Sequence, residues 1–184
     1  MFPSRARLRR LTTGYRFTEG PIWFPEEDCL LFSDIPASRI YKLSADGVVS
    51  VFREPSGHSN GLTRDAAGRL IACEQGNRRV TITDTDGSVR VLADAYQGLR
   101  LNSPNDVVVA RDFTSTREVF LSFAQPARGG ARTAMAVARL SDDGGALENL
   151  RVIFEMSRAE GGGRHFGSRI VEANDGTLLL TIGD

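Results

Sequence analysis

The sequence predicts an all-β protein of the β-propeller type, because short strand patterns, glycine-containing turns and an internal repeat occur together. Alternating or β-branched runs recur along the 184 residues, whereas long helical periodicity is hard to find. The predicted strands are CLLFSDI, RIYKLS, VVSVFRE, GLTRD, RLIACE, RVTITD, SVRVLAD and DVVVARD.

The segments between these strands carry residues that favour tight turns. Glycine adopts a positive φ at little steric cost, and Asp or Asn before it stabilises the turn through side-chain hydrogen bonds. The predicted turns are Ala45-Asp46-Gly47, Asp65-Ala66-Ala67-Gly68, Thr85-Asp86-Gly87 and Asn174-Asp175-Gly176. The chain is therefore predicted to be a series of β-hairpins.

The hairpins repeat at a fixed spacing. Asp46-Gly47 and Asp86-Gly87, each followed by a strand, are 40 residues apart, and Gly20-x-Ile22 resembles Gly61-Leu62, which lies 41 residues further on. A period of about 40–45 residues with about four strands in each period is typical of propeller blades rather than of a sandwich.

The repeat predicts about three and a half blades. Two blades run from Glu19 to Ala95, a third begins at Asn105, and a fourth begins at His165 and has two strands. Propellers typically have about four to eight blades. We therefore expect an incomplete ring whose open edges and faces favour a homodimer or other self-association.

Composition favours a small, uncharged ligand over a polyanion. Lys and Arg number 23 and Asp and Glu number 23, so the net charge is zero, and neither nucleic acid nor a membrane is an expected partner. The start, MFPSRARLRRL, is rich in arginine, but no apolar signal-peptide segment follows it, which predicts a cytoplasmic protein. Cys29 and Cys73 lie far apart, which favours two buried thiols and leaves one disulfide as an alternative.

Polar residues at the start of each blade are the candidates for a functional site, because the loops that enter the innermost strands meet at one end of the central channel. These segments are Thr18-Glu19-Gly20-Pro21, His58-Ser59-Asn60-Gly61, Asn102-Ser103-Pro104-Asn105-Asp106 and Arg164-His165. One carboxylate together with amide oxygens suits Ca²⁺ or Mg²⁺, with Zn²⁺ as a poorer alternative.

Three motifs in the first part of the chain resemble one enzyme family. TEGPIW followed by LLFSDI, then SNGLTRDAAGRL, then LNSPNDVVV are similar to the regucalcin/gluconolactonase (SMP-30-like) family over residues 10–111. The resemblance implies a six-bladed propeller that uses a divalent cation to hydrolyse sugar lactones. It also implies that Glu19 and Asn105 bind the metal, and that Asn60 and Asp106 lie on the substrate side.

The second part of the chain resembles a different six-bladed family. EVFLSFAQPARGGARTAMAVARLSDD, HFGSR and TIGD are similar to the soluble aldose and sorbosone dehydrogenases that use pyrroloquinoline quinone, over residues 116–184. The resemblance implies that His165 is the general base for the substrate hydroxyl and that Asp184 assists it. Arg169, in the same motif, would suit an anionic ligand or cofactor.

These resemblances divide the chain into residues 1–111, similar to lactonase blades, and residues 112–184, similar to dehydrogenase blades, with a join near Arg111-Asp112-Phe113-Thr114. The favoured function is a metal-dependent sugar lactone hydrolase. The alternatives are a quinone-dependent sugar dehydrogenase and a noncatalytic, truncated or rearranged propeller fragment.

Several of these residues also have an ordinary structural interpretation. Glu19 would serve equally as a loop carboxylate, and Asx turns alone would explain Asn105 and Asp106. His58 is expected to be a solvated loop residue and Trp23 a core residue. The segment from Arg128 to Arg132 is expected to be a loop.

Overall fold

Three four-stranded sheets and a final two-stranded sheet follow one another along the chain, with a further two-stranded hairpin between the second and third sheets, which confirms the predicted all-β propeller architecture. The structure is a computed structural model that describes residues 7–162, 167 and 169–183. Within each sheet the strands are antiparallel and adjacent in chain order. Each sheet is one blade.

The strands have the following bounds. The first sheet contains β1 (Thr18–Phe24), β2 (Cys29–Asp34), β3 (Arg39–Ser44) and β4 (Val49–Arg53). The second sheet contains β5 (Ser59–Arg64), β6 (Leu70–Glu74), β7 (Arg79–Thr83) and β8 (Val89–Ala93), and the hairpin β9 (Ala95–Tyr96) and β10 (Leu99–Arg100) follows it. The third sheet contains β11 (Pro104–Val109), β12 (Glu118–Ala127), β13 (Gly130–Leu140) and β14 (Leu147–Glu155), with the helix α1 (Phe113–Thr116) after β11. The last sheet contains β15 (Ile170–Glu172) and β16 (Leu178–Leu180).

The predicted glycine turns are present. Gly47, Gly87 and Gly176 have φ values of +87°, +84° and +82°, which a residue with a Cβ rarely adopts. A Cβ added at any of them would meet no atom within 4 Å. Backbone conformation, and not lack of space, is therefore the reason for glycine at these turns.

Packing between sheets follows the two-residue period of the strands. In β6, Leu70 and Ala72 belong to the apolar cluster shared with the first sheet, whereas Ile71 and Cys73 belong to the cluster shared with the third sheet. The strand is buried at every residue because it has a neighbouring sheet on each face.

The same alternation joins the third sheet to the last. Val119 and Leu121 of β12 pack with the second sheet, whereas Phe120 packs with Ile170 of β15. No strand of the last sheet is hydrogen-bonded to the first sheet in the part of the chain that the structure describes.

Trp23 is not a core residue, contrary to expectation. Its neighbours Ile22 and Phe24 face the second sheet, so alternation directs Trp23 to the other face of the first sheet, where its side chain is 47% exposed. That face of the first sheet has no neighbouring sheet in the described part of the chain, which explains why Trp23 is exposed.

The segment from Arg128 to Arg132 is also more ordered than predicted. The pairing of β12 with β13 continues to Ala127 and Gly130, so the loop consists of Arg128 and Gly129. Arg132 lies within β13, and its Nη2 is 3.1 Å from Oε2 of Glu155.

The third sheet pairs strands from both sides of the expected join. Val107 and Val109 of β11 lie opposite Leu121 and Val119 of β12. The one-turn helix α1 connects the two strands and ends at Arg117, which has a φ of +58°. The boundary between residues 111 and 112 stays a prediction.

Cys29 and Cys73 are free and buried, as the preferred interpretation predicts. Burial raises the pKa of the Cys73 thiol well above its ordinary value. Among the described residues, no helix has the length and apolar content needed to cross a bilayer.

Candidate functional site

The first strands of the four sheets form one continuous inner layer. β1 contacts β5, β5 contacts β11, and β11 contacts β15. The amino-terminal ends of these strands carry Glu19, Asn60, Asn105 and Asp106. We call this end of the layer, formed by these four residues and Arg169, the inner end.

The first three inner strands carry a β-bulge at the same place. In each strand two residues lie opposite a single residue of the neighbouring strand, and an apolar residue then restores regular pairing. The bulged pairs are Gly20-Pro21 before Ile22, Asn60-Gly61 before Leu62, and Asn105-Asp106 before Val107. Bulges redirect side chains and are frequent next to functional sites.

Glycines at two bulges allow the inner strands to approach closely. A Cβ on Gly20 would lie 2.2 Å from the carbonyl oxygen of Asn60, and a Cβ on Gly61 would lie 2.6 Å from Cα of Asp106. Real Cβ atoms do not approach backbone atoms this closely, so both positions require glycine. The second bulge is therefore in direct contact with the first and with the third.

Serine hydroxyls satisfy the backbone groups that the bulges leave unpaired. Ser33 Oγ donates to the carbonyl oxygen of Asn60 at 2.9 Å and lies 2.9 Å from Ser59 Oγ. The Asp106 N–H donates to Ser122 Oγ at 3.0 Å. Ser33 and Ser122 were not predicted as site residues, although each is a polar residue within an apolar strand, which is the signal that would have indicated them.

Glu19 and Asn60 differ in accessibility. Glu19 is exposed and lines a cavity of about 320 Å³, one wall of which is formed by Tyr15 and Phe32 with their rings 5.0 Å apart. Asn60 is 6% exposed, and its Nδ2 donates to Oε1 of Gln75 at 3.2 Å. The first inner strand thus carries an exposed carboxylate, and the second carries a buried amide oriented by Gln75.

Asp106 connects three sheets. It lies against Gly61 of β5, its Oδ2 accepts the N–H of Ile170 at 2.8 Å, and its Oδ1 is 3.5 Å from Nη1 of Arg169. Burial raises the pKa of Asp106, the Ile170 N–H and Arg169 partly offset that rise, and the charge of Glu19 adds to it. Asp106 is thus a buried carboxylate with one oxygen hydrogen-bonded to the first residue of the last sheet and the other near Arg169, which precedes that sheet.

Two other predicted residues lie outside the described part of the chain. These are His165 and Asp184, whose proposed catalytic roles stay predictions. His58, in contrast, is placed: its ring Nδ1 is 2.9 Å from the carbonyl oxygen of Ile35, and its N–H donates to Ser38 Oγ. These contacts are consistent with the structural interpretation of His58.

The side-chain oxygens at the inner end are of the chemical type that hard cations bind. Glu19 supplies a carboxylate and Asn105 an amide oxygen, whereas the oxygens of Asp106 contact Ile170 and Arg169. Across residues 7–162, 167 and 169–183, no three His, Cys, Asp or Glu side chains are grouped closely enough to hold a metal ion. Mg²⁺ keeps several waters and binds through one or two carboxylates, so a carboxylate and an amide oxygen are donors of a kind that it accepts.

Comparison with known proteins identifies relatives of both predicted kinds. The model of the family described as glucose/sorbosone dehydrogenase matches residues 54–184. A gluconolactonase of Zymomonas mobilis is 33% identical over 115 residues, which cover 55% of this chain and 32% of that protein. An aldose sugar dehydrogenase of Escherichia coli is 36% identical over 80 residues, covering 43% of this chain and 22% of that protein. The chain therefore spans about a third or less of the curated relatives it matches.

Solved structures support the fold. A structural-genomics target assigned as a candidate gluconolactonase superposes with a TM-score of 0.74 and 28% identity, covering 97% of this chain and 60% of the other. A gluconolactonase of Xanthomonas campestris superposes with a TM-score of 0.60 at 24% identity, covering 94% of this chain and 78% of the other. Both resemblances predicted from the sequence are confirmed.

Proposed function

We propose that the chain, which belongs to the glucose/sorbosone dehydrogenase family, hydrolyses a sugar lactone. Two comparisons support the lactone: the similarity of the chain to a gluconolactonase at 33% identity, and its superposition on a candidate gluconolactonase over 97% of its length. The observation that carries the proposal is the position of Glu19, Asn60 and Asn105 at or next to the bulges of three neighbouring inner strands.

In the proposed reaction a water molecule adds to the lactone carbonyl carbon and the ring C–O bond breaks, which gives a carboxylic acid and a hydroxyl group. Glu19 and Asn105 would hold a divalent cation, which when bound supplies a Lewis acid for the carbonyl group. Asn60, oriented by Gln75, would bind a sugar hydroxyl. The close contact between neighbouring bulges would hold the backbone that carries these groups in place before the substrate binds.

The test is hydrolysis of δ-gluconolactone, followed with a pH indicator after the protein has been treated with a chelator. We expect activity to return with Mg²⁺ or Ca²⁺, and we expect Glu19→Gln to lose the cation-dependent activity. Either cation should also raise the melting temperature of the wild type but not of Glu19→Gln, because a ligand that binds only the folded state stabilises it.

Glu148→Gln is the matched control, since Glu148 lies on the outer strand β14 and its side chain has, among the described residues, one ion pair, with Arg139 at 3.7 Å. This variant should behave as the wild type. Hydrolysis that is equal in Glu19→Gln and wild type would refute the metal role of Glu19.

A second candidate function is oxidation of a sugar by pyrroloquinoline quinone. The family match over residues 54–184 favours it, because that span includes His165 and Asp184. The substrate would lose a hydroxyl proton and a hydride, the quinone would be reduced to the quinol, and an added dye would reoxidise it. Dye reduction that needs both glucose and quinone, and that His165→Ala abolishes, would support this function. No turnover in either assay would support the noncatalytic alternative.

We also propose that the chain self-associates. Trp23 on the first sheet is 47% exposed, and Val171 and Leu179 on the last sheet are 46% and 55% exposed. Apolar residues at both ends of the series of sheets support pairing of the first sheet of one copy with the last sheet of another. Sedimentation equilibrium at micromolar concentration should give a mass above 20.1 kDa, and a stable monomer would refute the proposal.

A further inference from the structure

Arg169 is held firmly at its main chain. Its N–H donates to Thr181 Oγ1 at 2.8 Å, and its carbonyl oxygen accepts the Thr181 N–H at 3.1 Å. The next residue, Ile170, is 1% exposed and donates its N–H to Asp106. The Cα of Arg169 therefore has little freedom, although the residue precedes a strand of three residues.

The side chain of Arg169 forms an ion pair with Asp106 and is otherwise half exposed. Nη1 is 3.5 Å from Oδ1 of Asp106, whose side chain is 4% exposed, whereas the Arg169 side chain is 47% exposed. Asp106 is its one ion-pair partner among the described residues. A guanidinium group has five N–H donors in a planar fork, so one ion pair with Asp106 does not use all of them.

An ordinary surface ion pair differs from this one in two respects. In a surface pair both side chains are solvated, and the pair contributes little to stability. Here the carboxylate is buried and fixed by a backbone N–H, so the guanidinium is pre-oriented by a partner that cannot turn away. Arg binds carboxylates through two parallel N–H···O bonds, a geometry that a Lys ammonium group cannot reproduce.

We propose that Arg169 is a carboxylate-binding residue at the inner end and that Asp106 is the positioning residue that orients it. The ligand is a compound with a carboxylate group. It is either the sugar acid formed by lactone opening, in which case the inference rests on the proposed hydrolysis, or the carboxylate-bearing quinone of the second candidate function.

The charges near Arg169 require that carboxylate binding be tested both with and without a divalent cation. Asp106 compensates the charge of Arg169, and Glu19 adds a further negative charge at this end. A cation on Glu19 should therefore favour binding of a carboxylate, and its removal should oppose it. Binding is measured both with Mg²⁺ and after chelation.

The experiment is a calorimetric titration of the whole chain with gluconate and, separately, with pyrroloquinoline quinone. Arg169→Gln removes the charge, Arg169→Lys keeps the charge without the fork, and Asp106→Asn removes the anchoring charge at constant size. Arg151→Gln, at an exposed position on β14, is the matched control. We expect Arg169→Gln to weaken binding about tenfold or more, as loss of a charge-assisted hydrogen bond should, and Arg169→Lys to weaken it less.

Weaker gluconate binding in Arg169→Gln but not in Arg151→Gln supports a sugar acid as the ligand, and the same result with the quinone alone supports the cofactor. Equal binding by wild type and Arg169→Gln, or no binding of either compound by the wild type, overturns the proposal. Lactone hydrolysis is measured independently, so loss of the Arg169 proposal would leave the lactonase proposal intact. If Arg169→Gln does not fold, as judged by circular dichroism, unchanged binding in a folded Arg169→Lys overturns the bidentate role.

Discussion

The second sheet lies between two sheets, whereas the first sheet has a neighbouring sheet on one face only in the described part of the chain. All five residues of β6 are buried, but in β1 only Gly20 and Phe24 are buried. The inner end combines residues from both environments, since Asn60 belongs to the second sheet and Glu19 to the first. The difference shows that Asn60 is positioned by two interfaces, whereas Glu19 depends on one.

A buried ionic network strengthens that one interface. Glu74 of β6 is 2% exposed, and its Oε1 is 3.1 Å from Nη2 of Arg53, which lies on β4. Its Oε2 accepts a hydrogen bond from Nε of Arg79 at 2.7 Å. Loss of one partner in a buried pair leaves an uncompensated charge, so this network restrains the first sheet against the second.

The largest expected difference between the two sheets is in the cost of removing a valine side chain. Val80 of β7 is fully buried, and Val51 of β4 is 48% exposed. Val80→Ala should lower the free energy of unfolding by about 1.5–3 kcal/mol, because two buried methyl groups are lost and a cavity is left. Val51→Ala should change it by less than about 0.5 kcal/mol. Urea denaturation measures both, and equal losses would contradict the contrast.

A smaller effect is expected from adding one methyl group between the second and third sheets. Gly61→Ala would place a Cβ 2.6 Å from Cα of Asp106 and 2.7 Å from the carbonyl oxygen of Asn105, and neither backbone atom can move without disturbing β11. The expected cost is about 1–3 kcal/mol. Gly162→Ala is the control, because a Cβ there would meet no atom within 4 Å. Thermal melting that shows no difference between the variants would disprove the tight contact.

The smallest expected effect is a pH dependence with opposite signs at the inner end and at the periphery. Burial raises the pKa of Asp106, so the folded state holds this proton more tightly, and the stabilisation is lost as pH rises through the raised pKa. Arg90 and Arg69 lower the pKa of Asp84, whose stabilisation is present at neutral pH and lost as pH falls.

The corresponding measurement is urea denaturation between pH 3.5 and 7. Relative to Asp106→Asn the wild type should lose stability as pH rises above about 4, and relative to Asp84→Asn it should gain stability. Curves of the same sign would show that Asp106 is not desolvated as its burial indicates.

The parts of the fold that depend on local rules could be predicted from the sequence. Strand alternation and Asp-Gly turns such as Asp86-Gly87 act within a few residues, and the four sheets follow from them. Trp23 could not be placed, because its exposure depends on which face of the first sheet has a neighbour, and the two-residue period is the same in either case.

The sequence predicted which residues stand at the starts of the inner strands, but it did not predict which of them contact one another. Glu19, Asn60 and Asn105 were indicated by their place at the start of inner strands. The contacts of Asp106 with Arg169 and Ile170 join segments more than 60 residues apart, and no local pattern reports such a pairing. Burial of a carboxylate beside a half-exposed guanidinium is a tertiary property.

The repeated bulge places the polar residues Asn60 and Asn105 of the inner end outside the regular strand pairing. The residues at the three bulges differ, yet Ile22, Leu62 and Val107 resume regular pairing after each of them. A side chain exchanged at Asn60 or Asn105 leaves every ladder partner in register, because the bulged residues lie outside the one-to-one pairing. Protein engineers could therefore vary these two positions as a small combinatorial library, with Gly20 and Gly61 kept constant, and screen for new ligands without redesigning a strand.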